Sequence, residues 1–385
     1  MLLLVLVLAR SGAPLTNGEA VPQLVAILET GDAEAQKRAV EALRKLSFND
    51  SNKRLILKEA GALASLVDLL KSGSDRVKEA TTAALWNLSA DRASRPQVAS
   101  AIVPLVGLLR RGTPLTKQNA AGTLRNLSAD DGNKRLIPAA GGVSALAEVL
   151  SDGTDAAKDN AAAALHFLAY EARNQVLIAE AGAVPSLARL LSDGTPAAKE
   201  NAAGALWALS ATHENRLLIR EAKALPLLVD LLTTGTVKAK EKAAAALWSL
   251  SSAANDDDDD DNAVAAAGAI PPLVTLLTKG TDTARKSVLG LLRNLSKHND
   301  LNKVLIADAG AIPPLLSLLD NGTDTEKHHA VAALKLLSYN ADIDALIRHE
   351  QYAGGGTAPR KESLLRSGKP PAAEEAANLH HKADL

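Results

Sequence analysis

The chain has 385 residues, enough to bury a large core, and 47% of them are hydrophobic while only 2% are aromatic. A core supplied by Ala, Leu and Val points to closely packed helices and to no sheet. A formal net charge of −1 gives no bulk attraction to phosphate polymers or anionic lipid, and the absence of Cys removes disulfides, thiolate metal sites and cysteine nucleophiles.

The first stretch, Met1 to Leu8, reads MLLLVLVL. It has no basic residue before the apolar run and is far shorter than a membrane span, which speaks against a secretory signal. Val5 to Thr16, VLVLARSGAPLT, echoes Leu105 to Thr116, LVGLLRRGTPLT. Residues 1–17 are therefore read as the remnant of a truncated repeat, with a signal segment as the alternative.

From Gly18 onward a single unit recurs. Glycines fall at Gly31, Gly73, Gly112, Gly153, Gly194, Gly235, Gly280 and Gly322, at intervals of 42, 39, 41, 41, 41, 45 and 42 residues. A leucine fifteen positions further on recurs in step, at Leu46, Leu88, Leu127, Leu168, Leu209, Leu250, Leu295 and Leu337. Self-similarity at this period is the mark of a solenoid. Each unit reads as three helices. A second helix starts near a proline, as at Pro22, Pro185, Pro226, Pro271 and Pro313, and carries an L-V-x-L-L run. The third runs from the repeated Gly to the repeated Leu. A short first helix of the next unit follows, as in Asn52 to Ala60, and a Gly such as Gly61, Gly141, Gly182 or Gly310 ends it.

The third helix is the most informative. Offsets eight, twelve and fifteen from its Gly form an apolar stripe, Ala120, Leu124 and Leu127 in repeat 3 and Ala202, Leu206 and Leu209 in repeat 5. Offsets six, ten, thirteen and fourteen lie opposite, as Glu79, Ala83, Trp86 and Asn87 in repeat 2, and make a candidate surface. The opening Gly is expected to close the preceding helix in a left-handed conformation, and the residue after it, Asp32, Ser74, Thr113, Thr154, Thr195, Thr236, Thr281 or Thr323, to cap the next. Pro114 and Pro196 suit the first helical position, and Thr323 with Glu326 fits a capping box.

The combined pattern N-x-x-L-I-x-x-A-G-A-(I/V)-P-x-L-V-x-L-L-x-x-G-T-x-x-x-K-x-x-A-A-x-A-L-x-N-L-S resembles the armadillo repeat of β-catenin and importin-α relatives, over residues 18–350. The resemblance implies an all-α, right-handed superhelical solenoid of about eight three-helix repeats, whose third helices line a concave groove for extended peptides or protein segments. Three repeats depart from the pattern. Ser94-Arg95-Pro96 shortens the first helix after repeat 2, Lys223 replaces a Gly, and six acidic residues, Asp256 to Asp261, form a solvated loop insertion rather than a spaced calcium loop. After His349 the periodicity stops, and 351–385 reads as a disordered tail.

No arrangement supports catalysis. The eight His form no H-E-x-x-H array, and no G-x-S-x-G or G-x-x-x-x-G-K-(S/T) occurs. No cofactor, metal, small-molecule substrate, nucleic acid or transmembrane segment is expected. The groove face is the better candidate. Its partner-binding residues are Trp86, Asn87, Arg125, Asn126, His166, Trp207, Trp248, Arg293 and Asn294, with all three Trp of the chain at offset thirteen. These Trp either stack on a bound peptide or fill the edge between helices. The Asn either bond a ligand backbone or brace the neighbouring repeat. A basic column at offset five, Lys78, Lys117, Lys158, Lys199, Lys240, Arg285 and Lys327, is either a set of solvated, carboxylate-paired side chains or a track for an acidic partner. The expected function is a non-enzymatic interaction scaffold in cytosol, nucleus or both. The alternatives are a nuclear import adaptor and the substrate-recognition part of a ubiquitin ligase. The importin-like W-x-x-x-N is missing here, since Ala83, Gly122 and Gly290 occupy its Trp position.

Overall fold

The computed structural model describes residues 16–251, 259–297 and 299–353. The readings of residues 1–17 as a truncated repeat, of Asp256 to Asp261 as a loop and of 351–385 as a tail fall wholly or mostly outside these residues. At the edges of those segments, the helix Asp259–Ala266 begins inside the acidic run, and the helix Ala341–Ala353 extends past His349. Among the described residues every regular element is helical and no strand occurs.

The third helices start where their caps place them. Asp32 accepts from the Ala35 amide at 2.8 Å, and Thr113, Thr154, Thr195, Thr236, Thr281 and Thr323 each accept from the amide three residues on, at 3.1 to 3.3 Å. Ser74 makes no such bond, so the expected cap of repeat 2 is absent. The box at Thr323 and Glu326 forms, and Thr16 with Glu19 makes a second one.

The opening glycines are not left-handed, contrary to expectation. Gly112 has φ −76° and ψ 165°, an extended conformation, and its counterparts match it. They lack a side chain because of crowding. A Cβ at Gly112 would stand 2.6 Å from the Leu108 carbonyl oxygen and 2.8 Å from Thr116 Cγ2. The left-handed turns belong instead to Gly61, Gly141, Gly182, Gly268 and Gly310, between first and second helices. Lys223 holds the same turn at φ 55°, the only non-glycine to do so among the described residues. Because an L side chain is strained there, Lys223→Gly is expected to stabilise the protein by about 0.5–1 kcal/mol in urea unfolding, and a loss of stability would refute the strain.

The chain divides into two compact units, Met1–Ser186 and Leu187–Leu385. In the first, the third helices Ala33–Leu46, Asp75–Ser89, Pro114–Ser128 and Asp155–Leu168 pack in succession. Each also packs on its own second helix: Asn17–Thr30, Ala62–Ser72, Ile102–Arg111 or Gly142–Asp152. After repeat 2 the first helix breaks into two short 3₁₀ turns flanking Arg95–Val98, the shortening that Pro96 implies. In the second unit Pro196–Leu209, Val237–Ser251, Asp282–Leu295 and Asp324–Leu337 pack in the same way.

The apolar stripe is the core of both units. Ala120, Leu124, Leu127, Ala202, Leu206 and Leu209 have no exposed surface at all. Where repeat 2 places Thr81 on this stripe, its hydroxyl donates to the Val77 carbonyl at 2.7 Å, so burial leaves no unpaired polar group. Successive third helices abut through Ala, as at Ala161 to Ala164, all fully buried. Small side chains there let the helices approach, and that is why so few aromatic residues suffice.

Candidate functional site

The face opposite the stripe is built from offsets thirteen and fourteen. At fourteen an Asn or Ser ties repeats 2, 3, 6 and 7 each to the one before it. The Asn87 amide donates to Ser47 Oγ at 3.1 Å and to the Arg44 carbonyl at 3.4 Å. Asn126 repeats this with Ser89 Oγ at 3.1 Å and the Trp86 carbonyl at 3.3 Å, and Asn294 reaches Ser251 Oγ at 3.0 Å. Ser249 performs the same task by donating to the Ser210 carbonyl. Of the two roles open to these Asn, bracing is therefore met through the NH₂ group. The carbonyl oxygens of Asn87 and Asn126 accept no hydrogen bond among the described residues and stay available, in an amide plane fixed by the preceding repeat.

At thirteen, Trp86, Trp207 and Trp248 are half-buried, outside the core stripe. Two of them lie on the next repeat. A Cβ at Gly122 would come within 2.5 Å of Trp86 Cε2, and one at Gly290 within 2.6 Å of Trp248 Cζ2 and Nε1. The glycines are what allow each indole to rest on the neighbouring helix. Trp248 then extends to within 6.3 Å of the His329 ring, edge on. Trp207 differs, with Lys242 Nζ 5.0 Å from its ring centroid. Arg125 is exposed and reaches Asn160 Oδ1 only at 3.4 Å, while Arg293 is half-buried. His166 is buried and engaged with Tyr170 Oη at 3.1 Å and stacked on Phe167, so of the residues expected to meet a partner it offers the least surface.

Offset ten is accordingly not an open surface in repeats 3 and 7, because the preceding Trp covers it. The signal for this was present in the sequence as a Trp at thirteen followed by a Gly at ten one repeat later. At offset six, part of the candidate surface, three carboxylates serve the cap of the next repeat. Thr113 Oγ1 donates to Glu79 at 2.6 Å and Thr236 Oγ1 to Glu200 at 3.5 Å, and Thr281 Oγ1 donates to Glu241.

The basic column divides in two. Lys117 pairs with Asp152 at 3.4 Å, and Arg285 pairs with Asp282 at 2.5 Å and with the buried Glu326 at 2.7 Å. Lys78, Lys158, Lys199, Lys240 and Lys327 make no ion pair among the described residues, so carboxylate pairing accounts for only part of the column. Also among the described residues, no group of three or more His, Asp and Glu side chains is placed to hold a metal, and no single helix is long and apolar enough to cross a membrane.

Stacked three-helix units with a regular, polar and aromatic face define an α-solenoid repeat protein. A family model described as the plant U-box protein ARM repeat region matches residues 87–286, and one described as the Armadillo/beta-catenin-like repeat matches residues 49–90. The chain belongs to this armadillo-repeat family. It is similar to the splicing regulator ARVCF of Homo sapiens, 40% identical over 72 residues covering 18% of this chain and 8% of that one. It is also similar to plakophilin-3 of Bos taurus, 30% identical over 81 residues covering 21% and 10%. The matched part thus spans a tenth or less of these relatives' length. Among solved structures, an engineered protein aligns at a TM-score of 0.77 with 26% identity over 90% of this chain and 87% of that one. A designed armadillo repeat protein in complex with the peptide (KR)4 aligns at 0.55 with 24% identity over 61% and 99%, a likeness of fold.

Proposed function

We propose that this chain is a non-enzymatic interaction scaffold that holds extended peptide or protein segments along the exposed face of its third helices, in cytosol, nucleus or both. The carrying observation is the pair Asn87 and Asn126 on adjacent repeats. Each amide is locked by the repeat before it while its carbonyl oxygen remains unengaged. An extended chain presents backbone N–H groups at regular spacing, and acceptors fixed in advance take them with little loss of side-chain freedom. The half-buried indoles beside them add contact area. The family match and the similarity to ARVCF and plakophilin-3 support the same reading.

In a pull-down followed by fluorescence anisotropy on the captured segments, the Asn87→Asp, Asn126→Asp double variant keeps side-chain size but loses both bracing donors. It is expected to weaken binding about tenfold or more. Undiminished capture of every partner would overturn the proposal. Trp207→Ala with Trp248→Ala serves as the second arm, since truncating a stacking anchor also costs affinity.

The match to the plant U-box ARM region favours a second reading, in which the scaffold presents its cargo to a ubiquitin-transferring module. A U-box segment in the full-length transcript, and ubiquitylation of a captured partner by that longer protein, would support it. The import-adaptor reading has less behind it, because the acidic side chains it needs at offset six are occupied by the capping threonines.

A further inference from the structure

The first helices have an outer face, turned away from the core. In the helix Asp300–Asp308, Asn302 and Ile306 are buried, while Leu301, Val304 and Leu305 are 66%, 38% and 40% exposed. These three are three and four positions apart, so they line one face, and the exposed Asp308 continues it at the C-terminal end. In the other first helices that bury the same Asn and Ile, the place of Leu301 is held by Ser51, Gly132, Arg173 or Glu214. Among the described residues, only Asp300–Asp308 presents apolar side chains at all three places.

Asp308 makes no ion pair among the described residues, whereas Asp300 is taken by Lys303 at 2.7 Å. A carboxylate in the last turn of a helix also opposes the helix dipole, which favours a cation beside it. The face is therefore complementary to two aliphatic side chains with a basic residue one helical turn away.

The sequence beyond the described residues contains such a segment. Within 354–385, Leu364 and Leu365 are the only adjacent large aliphatic residues. Lys361 precedes them by three and four positions, the spacing that one face of a helix brings together. Around them Arg360, Lys361, Arg366 and Lys369 stand against the single carboxylate of Glu362. The tether is long enough. Leu346 and Ile347, on the first helix that follows repeat 8, correspond to Leu305 and Ile306, so His349 corresponds to Asp308. That helix ends at Ala353, about 6 Å past this level, and neighbouring helices stand about 8–10 Å apart. Residues 354–363 span up to about 33 Å when extended, enough for the chain to turn back. Running antiparallel to Asp300–Asp308, it meets Asp308 with Lys361 and then lays Leu364 and Leu365 over Leu305, Val304 and Leu301.

We propose that residues 361–365 of this chain dock on the outer face of Asp300–Asp308. The contact joins an apolar pair to an apolar face and a lysine to the carboxylate left without a partner there. It lies at a surface other than the third-helix face and does not depend on the scaffold reading. Displacing the segment frees an apolar helix face, so whatever competes for the segment also controls that face. A second copy of the chain carries the same segment, and the experiment separates the two cases.

The test is carbodiimide coupling of the full chain, which condenses an amine and a carboxylate in contact into an amide with loss of water. An equal mixture of isotopically light and heavy chains, read by mass spectrometry, distinguishes links within a chain from links between chains. A link from Lys361 to Asp308 within one chain is expected. Leu364→Asp with Leu365→Asp leaves Lys361 in place and should lower the yield at least about tenfold, because charge replaces the apolar contact. Leu301→Asp should do the same, and Leu217→Asp, on the helix His213–Glu221, should not. Amide hydrogen exchange over Asp300–Asp308 should quicken in Asp308→Lys and slow again when Lys361→Asp is added, since the swap restores the pair. Links only between chains would assign the face to a second copy and overturn the proposal. So would the absence of the link, or a yield indifferent to the leucine substitutions.

Discussion

Leu124→Ala is expected to destabilise the first unit by about 3 kcal/mol, one of the two largest effects of a single substitution predicted for this chain. Leu124 has no exposed surface and stands on the third helix of repeat 3, between the third helices of repeats 2 and 4. Removing its branched end forfeits burial and leaves a cavity that neighbours on both sides cannot collapse into without breaking their own packing. Repeat proteins lose stability locally, so hydrogen exchange should accelerate most in repeats 2 to 4 while the second unit changes less. Arg125→Ala, one residue away and exposed, should stay within about 0.5 kcal/mol. Similar losses for the two would mean that the stripe is not the core.

Glu326→Gln should cost about 2–3 kcal/mol at neutral pH, and the cost should depend on pH. The Glu326 carboxylate is almost fully buried and accepts from the Thr323 amide at 2.8 Å, the Thr323 hydroxyl at 2.9 Å and Arg285 Nε at 2.7 Å. Burial pushes its pKa upward. The bonds from Thr323 and the Arg285 guanidinium outweigh that and hold it below the ordinary value of 4.5. The bond to Glu326 in turn raises the pKa of Arg285. A depressed carboxylate stabilises the folded chain fully above its unfolded pKa and loses that contribution as pH falls through the folded one. Wild type and Glu326→Gln should therefore differ most above about pH 5 and converge in acid, measured by urea midpoints across that range. A difference that does not vary with pH would show that the ion pair contributes nothing beyond shape.

The period, the spine and most caps were legible because each is a local rule repeated many times. Ala120, Leu124 and Leu127 recur at helical spacing, and a Thr before a helix has one obvious task. The face was harder to read because its contacts cross from one repeat to the next. The only mark of the Trp86 seat is Gly122 at offset ten of the following repeat, and nothing near Lys117 says that it meets Asp152 while Lys158 meets no carboxylate. The opening glycines show a different limit. A left-handed turn and a crowded extended turn both exclude a Cβ, so Gly112 alone does not tell them apart. Ser74 has the right atom for a cap and still makes no bond.

The indole seats also restrict how such a chain can be rearranged during evolution. Where repeats join through an Asn and a Ser, any unit carrying both can be duplicated, lost or exchanged and still find its counterpart next door. The Trp86 and Gly122 pair and the Trp248 and Gly290 pair follow another rule, since recombination between the two members would set an indole against an unsuited neighbour. Moving repeat 2 without repeat 3, or repeat 6 without repeat 7, would leave an indole with no glycine beneath it, so each of these pairs is one unit of packing.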